Sequence, residues 1–426
     1  MRKFLSSALS ALLLCGALMS GCSAAPAAAQ ALPLTSPSLP QGEADRFAPQ
    51  PEEAFRSSLN AFTVTSSGAV LGALSEAENG VYSPVSLYLA LALCTSGAQG
   101  ATRQELLGAL QAGSMDAAAL AEGAKTLFTS LYSTGEYGHR KLGASLWLAK
   151  GLTFEKAFLQ TAADAFFADV YETDFSSEGA TKAISDWLAS HCGGKKGVAA
   201  PPAVDADTLM ALYTAIDFQD EWISCFSEKA TAPAAFTRAD GSSVTCDFLN
   251  KGDSGSFLRG TGYTAASLSC KERSTMTFYL PDEGKTPAGL LSDPAVLSEL
   301  LSGDVPEDGQ GYGTITWSIP KFDVKSDLSL SDALKSLGVR RAFSSEEAEF
   351  SGMTGDASLF LSSARQAARV AVDEKGVTAS AYTELAYAGA GMPLDHADMI
   401  LNRPFLFSIS SGGTVLFVGV VNDPAA

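Results

Sequence analysis

Apolar residues in this chain recur with helical spacing over the first half and with strand-like alternation over the second. Ser83-Pro84 stands before an apolar run from Val85 to Cys94. Serine at an N-cap and proline at the first helical position start a helix: the serine oxygen takes an orphan N–H, and proline has none to lose. Thr102 and Glu105, ahead of Leu106, Leu107 and Leu110, have the spacing of a capping box. Leu328 to Leu337 reads as a helical pattern stopped by Gly338. Thr314 to Ile319 instead alternates, which puts Ile315, Trp317 and Ile319 on one face of a strand. Residues 236–248, FTRADGSSVTCDF, predict a hairpin turning at Asp240-Gly241. Val415 to Val421 is almost wholly apolar, as in a strand buried on both faces. Helices early and strands late predict an α+β fold.

The pattern is even from about Pro51 to Pro424, with no second linker and no internal repeat, so residues 51–426 read as one domain. The chain start is different. Arg2 and Lys3 precede an apolar stretch, Leu5 to Met19, and this ends at Leu18-Met19-Ser20-Gly21-Cys22. Residues 1–21 therefore read as a secretory signal. The Ser-Gly-Cys ending resembles a bacterial lipobox, which implies that Cys22 is lipidated and becomes the new N-terminus. Residues 22–50 have a linker composition rich in Ala, Pro and Ser. They are expected to form a flexible tether with a reach of about 30 Å. These features place the domain outside the cytoplasmic membrane, lipid-anchored at the cell surface.

Hydrophobic residues make up 46% of the chain, enough for a sizeable core. With 47 acidic against 29 basic residues the net charge is −18, which argues against nucleic acid as a partner. Cys94, Cys192, Cys225, Cys246 and Cys270 remain after the chain start, an odd number with no Cys-x-x-Cys pair. Neither a disulfide framework nor a zinc site is expected, and no metal or cofactor is called for.

Two runs invite an enzymatic reading. GDSGS, residues 252–256, is like the nucleophile run of trypsin-like proteases, and ASHCGG, residues 189–194, is faintly like their histidine run. A triad needs nucleophile, base and orienting acid to meet in space. His191 follows a helical stretch, and GDSGS is expected as a Gly-rich turn between strands, since Gly, Asp and Ser favour turns. The chain is therefore not expected to be an enzyme.

The segment from Gly376 is more informative. Val377, Ala379, Ala381, Thr383, Leu385 and Tyr387 share one side of a potential strand, and Thr378, Ser380, Tyr382, Glu384, Ala386 and Ala388 share the other. It then runs into Gly389-Ala390-Gly391-Met392-Pro393, an exposed-loop composition. By itself this pattern fits a hairpin strand followed by a turn.

Longer runs carry a resemblance. Residues 79–107 (NGVYSPVSLYLALALCTSGAQGATRQELL), 142–176, 278–284 (FYLPDEG), 319–324 (IPKFDV), 334–353 and 403–424 (RPFLFSISSGGTVLFVGVVNDP) resemble, in order, recurrent runs of the serpin family. The resemblance covers almost all of Pro51 to Pro424. It implies a serpin fold, with about nine helices around three β-sheets and an exposed reactive-centre loop. It also implies a suicide inhibitor of serine proteases, acting as a monomer. The protease would form a covalent acyl complex with the loop, which then inserts as an extra strand into the central sheet. The alternative is a serpin-fold binding protein that does not inhibit.

By the same resemblance, Glu374, Lys375, Gly376, Val377, Thr378, Ala379, Ser380 and Ala381 form the hinge where insertion starts. Small residues there pass between strands easily, and a charge would cost several kcal/mol on burial. Family spacing from Gly376 places the reactive bond at Ala390-Gly391, with Tyr387-Ala388 as the alternative. Ala390 suits the small pocket of an elastase-like or subtilisin-like protease. The polar cluster that gates sheet opening falls on Ser83, Ser86, Thr214 and Gln366, with Thr214 where the family usually has asparagine and Gln366 where it has histidine. Trp187 and Trp222 are expected to be core packing.

Overall fold

The computed structural model describes residues 31–35, 37–40, 42, 48–113, 115–191, 207–355, 359–377 and 395–426. In chain order the helices are α1 (Glu53–Leu71), α2 (Pro84–Gly97), α3 (Gly100–Ala109), α4 (Ala117–Leu131), α5 (Lys156–Phe166), α6 (Glu178–His191), α7 (Pro287–Ser292), α8 (Pro294–Ser302) and α9 (Ser331–Ser336). The strands before residue 240 are β1 (Leu32–Pro33), β2 (Gly80–Tyr82), β3 (Ser133–Thr134), β4 (Gly138–Ala149), β5 (Asp169–Thr173), β6 (Met210–Glu221) and β7 (Ala232–Thr237). They continue with β8 (Ser243–Gly260), β9 (Tyr263–Ser269), β10 (Ser274–Pro281), β11 (Gln310–Pro320), β12 (Phe322–Ser329), β13 (Ser363–Val372), β14 (Gly376–Val377), β15 (Asp395–Ile400), β16 (Phe405–Ser411) and β17 (Thr414–Val421). The α+β segregation holds, with six helices before residue 192.

Among the described residues, two hydrogen-bonded sheets form. One runs β1-β5-β4-β6-β14-β13-β12, and the other runs β15-β11-β8-β9-β10-β16-β17-β2. The second merges two of the three expected layers, because β8 is a continuous 18-residue strand that pairs with β7, β11 and β9 in turn. The core lies between the sheets. Phe218 of β6 meets Phe417 of β17 edge-on across it, with ring centroids 5.8 Å apart. Helix α2 fills one end and is buried all round, as an apolar run without a polar face must be. Ser83 caps it and Pro84 opens it as expected, and β17 is buried on both faces. The hairpin at Asp240-Gly241 and the buried face of Ile315, Trp317 and Ile319 also form.

Four expectations are corrected. The capping box at Thr102 and Glu105 does not form: α3 starts after Gln99, and Thr102 is buried inside the helix. The Glu349 carboxylate takes the N–H groups of Ala101 and Thr102 instead, and Glu105 accepts from Arg340 N and Arg341 N. A carboxylate from a distant loop satisfies the orphan donors better than a local hydroxyl. Leu328 and Ser329 end strand β12 rather than begin a helix, since they pair with Gln366 and Arg365 of β13. GDSGS is not a turn. Gly252 to Ser256 pair with Thr316 to Tyr312 of β11, and that ladder supplies what a turn would have supplied locally. Finally, part of the expected tether is docked. Leu32 and Pro33 pair with Glu172 and Tyr171 at the open edge of β5, and Leu34 N donates to Val170 O at 2.7 Å. An unpaired strand edge attracts any segment within reach.

Candidate functional site

The site begins where β13 ends. Asp373 Oδ1 accepts from Lys375 N at 2.9 Å and Gly376 N at 3.1 Å, closing a tight turn around Glu374. Three hydrogen bonds from two neighbours grip this turn. The Trp222 indole donates to Asp373 O at 3.0 Å, Trp222 N donates to Lys375 O at 2.9 Å, and Phe226 N donates to Glu374 O at 2.8 Å. Glu374 pairs with Lys321 at 2.9 Å and accepts from Thr231 Oγ1, also at 2.9 Å. Burial opposes the Glu374 charge, but the bonds from Lys321 and Thr231 outweigh it and hold the carboxyl below its usual range.

After the turn the chain enters the first sheet. Gly376 and Val377 pair with Glu221 and Asp220 of β6, and Val377 pairs with Val372 of β13. A side chain at position 376 would meet Asp220 O at 2.3 Å, so only glycine passes here. Val377 is fully buried. At the other end of the sheet no strand intervenes: β6 and β13 pair directly in parallel, from Ser363↔Ala211 to Ala367↔Ala215. The sheet is thus parted at one end by two residues and closed at the other.

The polar cluster sits at the closed end. Gln366 and Thr214 are register partners. Gln366 Oε1 accepts from Ser83 N at 2.6 Å, and its Nε2 donates to Ser83 O at 2.9 Å and Thr214 Oγ1 at 3.2 Å. Ser83 Oγ donates to Ser86 Oγ at 2.9 Å. All four side chains are buried. One amide therefore ties β13 to β6 and to the start of α2. The cluster is thus assembled through the Gln366 amide and the Thr214 hydroxyl.

Asp220, beside Val377, is buried and accepts from Glu272 N at 2.8 Å and Ser274 N at 3.3 Å. Burial pushes its carboxyl up to about 6, against those bonds and the nearby Arg140. Across the outside of the sheet lies α6, where Trp187 Nε1 donates to Asp169 Oδ2 at 2.7 Å and His191 stacks on the Trp187 ring.

The geometry leaves no proteolytic triad at GDSGS. Ser254 and His396 are each the register partner of Thr314, on opposite sides of β11. Two ladder spacings keep their backbones about 10 Å apart, beyond hydrogen-bond reach. His191 ends α6, on the other sheet.

Of the expected site residues, Glu374, Lys375, Gly376 and Val377 of the hinge and all four of the polar cluster are brought to one pair of strands. Thr378, Ala379, Ser380 and Ala381, both candidate bonds (Ala390-Gly391 and Tyr387-Ala388) and Cys22 lie outside the described residues. Sequence reasoning missed the clamp of Trp222, Thr231, Lys321, Asp373 and Asp220. Trp222 is core packing as expected, but a buried indole N–H needs an acceptor, and that need was the available signal for its grip on the turn.

Comparison with known proteins agrees with this architecture. The sequence family described as "Serpin (serine protease inhibitor)" matches residues 58–424. The chain belongs to the serpin family. Among its serpin relatives, serpin-Z6C of Oryza sativa subsp. japonica is 32% identical, over 84% of this chain and 94% of its own length. Plasminogen activator inhibitor 1 of Neovison vison is 26% identical, over 82% of this chain and 88% of its own. Among solved serpins, the thermophilic serpin tengpin in its native state superposes with a TM-score of 0.80 at 23% identity, covering 92% of this chain and all of its own. Arabidopsis AtSerpin1, described as a native stressed conformation, superposes at 0.75 with 25% identity, covering 88% of this chain and 100% of its own.

Proposed function

We propose that this serpin is a suicide inhibitor of an elastase-like or subtilisin-like serine protease. The observation that carries the reading is the half-parted sheet. Gly376 and Val377 already occupy the slot between β6 and β13, while at the far end residues 211–215 and 363–367 of those strands are still directly paired. A strand inserted from Val377 onward would part that pairing and complete an antiparallel sheet, which releases free energy only if the present state is the strained one. The native stressed description given to AtSerpin1 fits the same reading. The protease attacks at Ala390-Gly391, becomes acylated, and is carried along as the loop inserts. No residue of the serpin performs catalysis, and the reading needs no cofactor. We further propose that residues 1–21 are removed, that Cys22 carries a lipid, and that the monomeric domain works at the outer face of the cytoplasmic membrane.

The test is denaturing electrophoresis after mixing the protein with pancreatic elastase and with subtilisin. A covalent band at the summed mass supports inhibition. Loop cleavage alone, with no such band, supports a serpin-fold binding protein instead.

A further inference from the structure

The segment docked on β5 fixes where the chain start leaves the fold. Leu32 pairs with Glu172 of β5, Glu172 with Leu148 of β4, and Leu148 with Met210 of β6. These four residues form one row across the first sheet, at its closed end. Leu34 N donates to Val170 O at 2.7 Å, and Thr35 Oγ1 donates to Ala168 O and accepts from Val170 N, both at 2.8 Å. Leu34 and Leu39 pack against the core. Gly42 O then accepts from Thr134 N at 2.8 Å. Thr134 stands in the row of His139 and Gln219, next to the hinge row of Asp220 and Val377. Leu32 and Gly42 therefore stand at opposite ends of the sheet.

This docking shortens the tether and chooses its exit. Nine residues lie between Cys22 and Leu32, a span of at most about 35 Å when fully extended. With the segment undocked, thirty residues would lie between Cys22 and Glu53 at the start of α1, a span of up to about 105 Å. Met210 and Asp220 are ten residues apart on β6, or about 33 Å at the rise of a strand. A chain with net charge −18 is not drawn down flat onto an anionic bilayer, so the exit point decides which end of the domain faces it.

We propose that the docked segment is an orienting strap: it stands the membrane-anchored domain on the closed end of its first sheet, with the hinge turned to the medium. The protease that meets the hinge is then one dissolved outside, rather than a neighbour on the same lipid surface. This rests on the anchor at Cys22 proposed above.

The test is energy transfer on vesicles of phosphatidylcholine and phosphatidylglycerol that carry a nickel-chelating lipid and a headgroup acceptor dye. The chain from Cys22 onward is held by an N-terminal histidine tag, so the readout does not need the natural lipid. A donor dye is placed at Glu178, which opens α6 just past the closed end of β5, or at Glu228, between Phe226 and Thr231 beside the hinge turn. Both positions are exposed. Transfer from Glu178 should exceed that from Glu228 by at least about twofold, given the ~33 Å between the two ends of the sheet. Leu34→Pro with Thr35→Ala takes the backbone N–H and the hydroxyl away from the edge of β5. It should bring the two efficiencies together while the circular dichroism spectrum stays that of the wild type. Equal transfer from both positions in the wild type, stronger transfer from Glu228, or an unchanged difference in the variant would overturn the proposal. Palmitate labelling of the full chain in cells, lost in Cys22→Ser, tests the anchor by itself. Absent labelling would overturn the anchored setting even where the vesicle pattern holds.

Discussion

At the scale of single residues, two side chains beside the parted strands make distinct predictions. Val377 is wholly buried between β6 and β13. A guanidinium there would have to enter the sheet uncompensated, at a cost of several kcal/mol. Val377→Arg, and Ala381→Arg further along the hinge, should therefore turn the inhibitor into a substrate. The readout is the number of inhibitor molecules consumed per protease trapped; an unchanged ratio would refute the proposed register of insertion. Asp220 gives a pH signature. Its folded-state pKa of about 6 stands above the ordinary 3.8, so the folded state holds this proton more tightly than the unfolded state. Its stabilising contribution is fully present below about pH 4 and is lost as pH rises through 6, by about 3 kcal/mol. Urea midpoints of the wild type should fall relative to Asp220→Asn over that window; parallel curves would show that Asp220 is not buried as described.

At the scale of elements, the proposed insertion would have to break the pairing of β13 with β6, which the Gln366 bond to Thr214 crosses. Gln366→Ala would leave the Ser83 N–H and the Thr214 hydroxyl oxygen without their partner inside the protein. Each such loss costs about 1–3 kcal/mol. The native form should unfold at a lower temperature and lose inhibitory activity faster on storage. Gln366→His, which restores the family's usual residue, should recover part of both. A second expectation concerns β14. A single cut in the loop frees it to extend from Val377 down the whole slot, adding two ladders of backbone hydrogen bonds. Calorimetry of the cleaved protein should show a melting temperature raised well beyond that of the intact chain. An unchanged temperature would favour the non-inhibitory alternative.

At the scale of the whole molecule, the chain leaves one sheet at Val377 and joins the other at β15, so under the proposed function the residues between them choose the target. No lysine or arginine occurs from Val377 to Leu401. Trypsin should consequently form no covalent complex, whereas elastase or subtilisin should. Mass spectrometry of the peptide released from the complex is expected to begin at Gly391. A start at Ala388 would move the assignment to Tyr387-Ala388 and to chymotrypsin-like enzymes, whose pocket reads the residue before the cut.

The sequence by itself determined the helix start at Ser83-Pro84, the hairpin at Asp240-Gly241, the buried β17 and the α+β class, because caps, turn residues and hydrophobic period act within a few residues of one another. Its family runs also pointed to Glu374, Lys375, Gly376 and Val377 and to Ser83, Ser86, Thr214 and Gln366, which the fold gathers along β6 and β13. Tertiary structure alone decided the rest. Thr102 lost its cap to Glu349, GDSGS became strand because β11 lay beside it, and Leu32-Pro33 found the free edge of β5. The clamp on the hinge joins Trp222, Thr231, Lys321 and Glu374, residues as far as 152 positions apart, to one turn. Partners that far apart in the chain leave no periodic trace. The bonds between them exist only once the sheets have packed, and with them the balance that holds β6 and β13 half apart.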